Sequence, residues 1–440
     1  MSMTDAPSES SLLYRIPYIG RGMWRHRKML ANLLSLVSIN IVTAIVGFFT
    51  RVKIANVLGK EVYGDLSYAV AIGIYGLMFI QFGFEKSLVR ELVHFPQRFG
   101  ELVKASLALR LFLFLLFIGS LAATWPFLFN NQAFSWGMFL MVLATSLAAF
   151  QLQGIYDAWR EMWRHALCFL VERSAYFLLI WAVVLIPALT LSLNMVGAFA
   201  VLAVLTGLAM QYRWAMPRVD FKPNKGFRPT VLFLMRSNVW IWLAVLAGLS
   251  LEYLNQIILK RTCGSKALGG YSACWTIMQI ATLFLNQVGR IGFASTARHT
   301  APDRTAAERL RFLTKYVLLM AGMGALIGLP CVLFSKEILL LFFRPEYVTA
   351  AGTLRILGFY PMFYGVYLVM LQYVISSRLQ KSYFVVSVLV GILSAVLCGW
   401  LIPGLEGDGA ALALLITVFC GCGFFFVAAA IQLSRHRPSR

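Results

Sequence analysis

Apolar and polar residues follow one another along this chain in long blocks rather than alternating residue by residue. Twelve apolar stretches cover 30–50, 66–84, 105–126, 134–155, 167–189, 194–211, 231–253, 268–289, 312–334, 354–376, 383–402 and 409–432. As a helix, a stretch of about 20 apolar residues crosses a ~30 Å hydrocarbon core. A membrane barrel would instead show ~10-residue segments of alternating hydrophobicity. The pattern therefore predicts an all-α integral membrane protein with about twelve transmembrane helices.

The polar gaps carry a second pattern. Residues 58–70 read LGKEVYGDLSYAV and residues 263–275 read CGSKALGGYSACW. Gly59, Gly64 and Ser67 match Gly264, Gly269 and Ser272 at a constant offset of 205. Each copy lies between the first two apolar runs of a six-run half. Two such halves predict two six-helix bundles related by a pseudo-twofold axis along the membrane normal, with a cavity between them. That is a plan for transport rather than for catalysis. The expected division is a basic arm (1–29), a first bundle (30–211), a linker (212–229), a second bundle (230–433) and a tail (434–440). The arm either lies on the membrane surface through Leu12, Leu13, Tyr14, Ile16 and Trp24 or is a solvated basic tail.

Composition agrees with this reading: 60% of residues are hydrophobic, 13% are charged and the mean hydropathy is +0.76. The formal charge of +21 invites a nucleic-acid partner, but its distribution argues for orientation. Of the 39 Lys and Arg residues, 27 lie in the N-terminal tail, the C-terminal tail and the loops on the same side, and 9 lie on the opposite side. Such a bias marks the cytoplasmic side, so both termini are expected there. The seven cysteines fall mostly inside apolar runs and read as small core residues. The five histidines lie in or near cytoplasmic loops, and no phosphate-binding loop or dinucleotide turn occurs. Neither a cofactor nor a metal site is expected, and the chain does not read as an enzyme.

Polar residues inside apolar runs tend to face a cavity or one another. Ser272, Thr276, Gln279, Asn286 and Arg290 share one helical face, interrupted by Leu283. Ser67, Gln81 and Glu85 occupy the equivalent face of the second run, and Asn40, Thr43, Gly47 and Arg51 one face of the first. The seventh run has Arg236, Ser237 and Asn238 near its inner end and Glu252 and Asn255 near its outer end. Runs one, two, seven and eight are the expected cavity lining, through Asn40, Arg51, Gln81, Arg236, Glu252, Gln279, Asn286 and Arg290. Hydrogen bonding between helices is the alternative for these residues. Arg51 and Arg290 lie at run ends, where an arginine also serves as an interface anchor. Glu172 and Arg173 are expected to pair with each other or with Arg110.

The opening of the chain resembles bacterial polysaccharide flippases. The resemblance rests on Asn32-Leu-Leu-Ser-Leu, on Arg51 with Leu58-Gly59-Lys60-Glu61-Val62-Tyr63-Gly64, and on Phe82-Gly83-Phe84-Glu85-Lys86-Ser87-Leu88-Val89-Arg90. These flippases are the lipid-linked oligosaccharide exporters of the multidrug/oligosaccharidyl-lipid/polysaccharide superfamily. The spacing from Arg51 to Gly59 is longer than the tightest form of the pattern. The resemblance implies a V-shaped pair of bundles and alternating access. It implies a bacterial inner-membrane protein moving an undecaprenyl-pyrophosphate-linked oligosaccharide to the periplasmic leaflet for O-antigen or another surface polysaccharide. Membrane lipids, a coupling ion (H+ or Na+) and other polysaccharide-assembly membrane proteins are the remaining expected partners. A cationic cavity made by Arg51, Arg236 and Arg290 suits a pyrophosphate.

Three other functions are less compatible with the residues. A drug/cation antiporter would favour a carboxylate in the middle of the first run, where this chain has Asn40. An integral-membrane polymerase, ligase or acyltransferase would favour a large outer loop or a mid-membrane histidine. A lipid II flippase would carry two further runs.

Overall fold

The computed structural model describes residues 38–129, 134–220, 226–299, 306–376 and 380–435. The basic arm lies outside the described residues, as do 221–225 within the expected linker and the final five residues. All regular structure among the described residues is helical. Nine helical stretches are long and apolar enough to cross a membrane, and a bent pair, Pro345–Leu357 with Tyr360–Val374, adds one more span. Phe227–Gly289 and Tyr383–Ala428 each contain two crossings separated by a break, which brings the described crossings to twelve.

The first lobe comprises α1 (Ser38–Leu58), α2 (Lys60–Gln81), α3 (Phe84–His94), α4 (Phe99–Leu128), α5 (Trp136–Leu147), α6 (Gln153–Ala158), α7 (Met162–Leu185) and α8 (Leu193–Ala215). The second comprises α9 (Phe227–Leu249), α10 (Leu254–His299), α11 (Ala306–Leu333), α12 (Ser335–Phe342), α13 (Ala351–Leu357), α14 (Tyr360–Ser376) and α15 (Gln380–Arg435). In the first, α5 packs on α2 and α8; in the second, α14 packs on α11 and α15. The broadest contact in the molecule joins the lobes, between α2 and α10. The expected linker is helical at both ends, because α8 continues to Ala215 and α9 starts at Phe227.

The polar gaps of the repeat are not loops. Helix α1 continues to Leu58 and α2 begins at Lys60, with Gly59 at φ +81° between them. Gly264 does the same within α10 at φ +85°. Only a residue without Cβ adopts such a backbone without strain, which accounts for this pair of repeated glycines. Polar residues 51–65 and 254–263 therefore prolong helices, and the seventh span reaches Cys263 instead of ending near 253.

Three spans are interrupted among the described residues, one of them the bent pair above, and the breaks after α5 and α9 are satisfied internally, as a backbone at membrane depth requires. Between α5 and α6, buried Arg110 donates to the carbonyls of Ala149 (2.9 Å) and Gln151 (3.0 Å), and Leu152 N donates to Gln211 Oε1 (2.8 Å). Between α9 and α10, residues 250–253 form turns, and Ser394 Oγ donates to the Ser250 carbonyl at 2.9 Å. Arg110 thus caps a broken helix.

Candidate substrate cavity

The second repeated glycine pair sets how closely the lobes approach. A Cβ on Gly64 would lie 1.9 Å from the Ser265 carbonyl oxygen, and one on Gly269 would lie 1.8 Å from the Lys60 carbonyl oxygen. The contact is reciprocal, as pseudo-twofold symmetry demands, and small residues permit such packing. Polar bonds extend it. Lys260 pairs with Asp65 across the lobes, and Ser265 Oγ donates to Asp65 at 2.7 Å. Lys60 reaches Thr349 (2.7 Å), Asn56 exchanges bonds with Phe342 O (2.8 Å) and Arg344 N (3.0 Å), and the Tyr347 hydroxyl donates to Ala55 O (2.9 Å). Together these contacts close one end of the cleft between the lobes.

Below this seal lies a cavity of about 270 Å³. Its wall comes from α1 (Thr50, Arg51), α2 (Tyr63, Ser67), α5 (Thr145), α7 (Glu172, Arg173, Tyr176), α8 (Val204) and α10 (Gln256, Ser272, Thr276, Gln279), with Tyr253 from the span-seven break. A second chamber of about 330 Å³ continues along α1, α7 and α10 past Asn40, Thr43, Phe169, Leu283 and Gln287. The chambers share Gly47, Arg51, Arg173, Thr276 and Gln279. Ser67 and Ser272, the third repeated pair, both line this cavity, one from each lobe.

The cavity is cationic at its neck. Arg51 donates to the Gln279 side-chain carbonyl, while Arg173 stacks over Phe169 at 4.8 Å. Neither guanidinium forms an ion pair with a described residue. Glu172 supplies the carboxylate of the wall and accepts from Gln151 Nε2 at 3.2 Å. The buried hydroxyls of Tyr176 and Ser272 also line the cavity without a hydrogen-bond partner. Buried hydroxyls left in this way need water or a polar ligand. Two guanidiniums, one carboxylate and free hydroxyls make a wall suited to a polar anion.

Asn40, Arg51 and Gln279 line the second chamber together. Of the other expected residues, Arg236, Glu252, Asn286 and Gln81 do not line these chambers. Arg236 is exposed on α9 along one face with Leu232 and Trp240, which are 54% and 51% exposed. That is an outward-facing surface, from which a long arginine reaches the interface. Glu252 sits in the span-seven break and accepts from the Tyr360 hydroxyl at 3.3 Å, under α14. Asn286 turns the same way and accepts from Tyr364 at 3.0 Å. Gln81 ends α2 outside the chamber walls. The backbone of Arg290 lies in α10, but its side chain falls outside the described residues, as does that of Glu85.

The α10 stripe drifts because seven residues fall about 20° short of two full turns. Gln287 replaces Asn286 on the chamber wall in consequence. Sequence reasoning missed Arg173, which it assigned to local pairing. An in-span arginine beside a carboxylate gives no sign from sequence that both line a cavity rather than neutralise each other.

The fold and cavity define a multi-pass membrane protein of two helical lobes with twelve described crossings. The family profile described as "Polysaccharide biosynthesis protein" matches residues 29–291, and the chain belongs to that family. Among solved structures, it is similar to the lipid II flippase MurJ in an inward closed conformation (TM-score 0.69, 12% identity, 90% of this chain and 87% of that one). It is also similar to an inward-facing multidrug resistance MATE family transporter of the MOP superfamily (TM-score 0.63, 12% identity, 92% and 96%). A MOP superfamily transporter from Pyrococcus furiosus, described as having a binding pocket of reverse polarity, superimposes with a TM-score of 0.57 at 12% identity over 92% and 96% of the two chains. No curated protein matches the chain.

Proposed function

We propose that this protein is a flippase for a lipid-linked oligosaccharide, carrying an undecaprenyl-pyrophosphate head group across the bacterial inner membrane by alternating access. On this reading the α2–α10 seal faces the periplasm and the two chambers face the cytoplasm, the side that also holds both termini. The observation that carries this reading is the pair Arg51 and Arg173, held without ion-pair partners at the neck of a polar cavity beneath the α2–α10 seal. Two guanidiniums match a diphosphate through charge-assisted bonds of about 1.5–3 kcal/mol each. The amides and hydroxyls of Asn40, Thr43, Gln279 and Gln287 suit sugar hydroxyls in the second chamber. The prenyl tail stays in the bilayer, so the cavity holds only the head group. Surface polysaccharide, with O-antigen as one form, is the proposed end product.

A drug/cation antiporter would require a net anionic cavity, and the wall here carries two guanidiniums against Glu172. The test is deletion of the gene and measurement of lipid-linked oligosaccharide in each leaflet. Accumulation in the cytoplasmic leaflet, reversed by the wild-type gene but not by an Arg51→Ala/Arg173→Ala form present at normal abundance, is the expected result. An unchanged leaflet distribution after deletion overturns the proposal.

A further inference from the structure

A groove of about 400 Å³ that shares no lining residue with the two chambers lies between the start of α7 and the end of α8, on the side assigned to the cytoplasm. Its lining is Trp163, Arg164, Arg213, Trp214, Pro217 and Arg218, three guanidiniums and two indoles with no carboxylate among them. Glu161 stands behind the lining and fixes two of the arginines, accepting from Arg218 at 2.8 Å and Arg164 at 3.1 Å. Arg160 holds φ +61° in the turn before Glu161, and the Glu161 amide donates to the Tyr156 carbonyl at 2.8 Å. That left-handed turn aims the glutamate between its two partners. Arg213 forms no ion pair with a described residue and is exposed. Asp157 and Asp220 occur nearby in the chain but do not line the groove.

Two further features point to a phosphate-bearing ligand in the membrane. Helix α7 begins at Met162 without a side-chain cap, and its first turn carries the lining residues Trp163 and Arg164, so this helix start favours an anion beside it. Met162 and Trp163 are exposed apolar neighbours, and tryptophan beside arginine is the arrangement found where a protein meets lipid head groups.

We propose that this groove is a binding site for the phosphate head group of an anionic glycerophospholipid of the inner leaflet. Arg164 and Arg218, pre-oriented by Glu161, form a rigid floor. Arg213 closes over the phosphate, and the indoles of Trp163 and Trp214 lie against the glycerol and upper acyl chains. The site is separate from the proposed cargo cavity and does not depend on the cargo assignment. An arginine near an anionic lipid surface contributes about 1 kcal/mol, which corresponds to about a fivefold change in affinity.

The test is native mass spectrometry of the full-length protein in neutral detergent, titrated with phosphatidylglycerol or with phosphatidylcholine. Wild type is expected to retain phosphatidylglycerol in preference, and Arg213→Gln to weaken that retention about fivefold. Arg213→Gln/Arg164→Gln should abolish the preference, while Arg213→Lys should keep part of it. Arg236→Gln, which removes an exposed arginine elsewhere, should leave retention unchanged. Thermal unfolding of each variant verifies that it is folded, and Arg213→Lys keeps the test decisive where a double variant does not fold. Equal retention of the two lipids, equal effects of Arg213→Gln and Arg236→Gln, or displacement of phosphatidylglycerol by equimolar inorganic phosphate would each overturn the proposal.

Discussion

The reciprocal glycine contact yields the sharpest prediction, because it turns a methyl group into a conformational wedge. In Gly64→Ala the new Cβ would sit 1.9 Å from the Ser265 carbonyl oxygen, so it must retreat by about 1.5 Å to reach ordinary contact. The obstacle is backbone at the start of the helical segment that follows Gly264, so no side chain can rotate away. Forcing extra atoms into a packed interface costs about 1–3 kcal/mol. That cost falls on the sealed state alone if the two helices separate in the alternative state, which shifts the balance between states by about 5- to 150-fold. Gly269→Ala meets the Lys60 carbonyl at 1.8 Å and should act in the same direction. Spin labels at Glu61 and Lys266, both exposed at the sealed end, would report the separation by pulsed distance measurement. Wild type should give a short distance, Gly64→Ala a second and longer population, and the double variant mainly the longer one. A folded double variant with the wild-type distance distribution would refute the argument, since the glycines would then not control the seal.

Three other outcomes are expected. Arg51→Ala and Arg173→Ala should each reduce export about tenfold or more at normal protein abundance, with partial recovery on substitution by Lys; export assays beside membrane immunoblots test this. Cysteines at Gln279 and Gln287 should react with a small hydrophilic thiol reagent, while a cysteine at Asn286, turned onto Tyr364, should react much more slowly, as read by labelling stoichiometry. A cysteine at Glu346 should be labelled by an impermeant reagent outside intact cells and one at Pro223 should not; the reverse result would refute the orientation drawn from the charge bias.

The number of spans, the two-half plan and the importance of the glycine signature follow from the sequence by itself. Hydropathy is a one-dimensional quantity, and a 20-residue apolar run has few alternatives to spanning a bilayer. The 205-residue offset between Gly59-Gly64-Ser67 and Gly264-Gly269-Ser272 likewise needs no coordinates to be seen. Only the tertiary structure separates the signature into its parts: a positive-φ break, a backbone contact and a hydroxyl facing the cavity. It also decides which in-span arginine serves the cavity. Arg236 and Arg173 both lie within long apolar runs, but α9 turns the first outward beside Trp240 and α7 turns the second inward beside Tyr176. Helix rotation about its own axis is set by packing against neighbours distant in sequence. Glu252 and Asn286 pass to α14 for the same reason, because a polar side chain in a membrane bonds to whatever partner the packed lobe brings within reach.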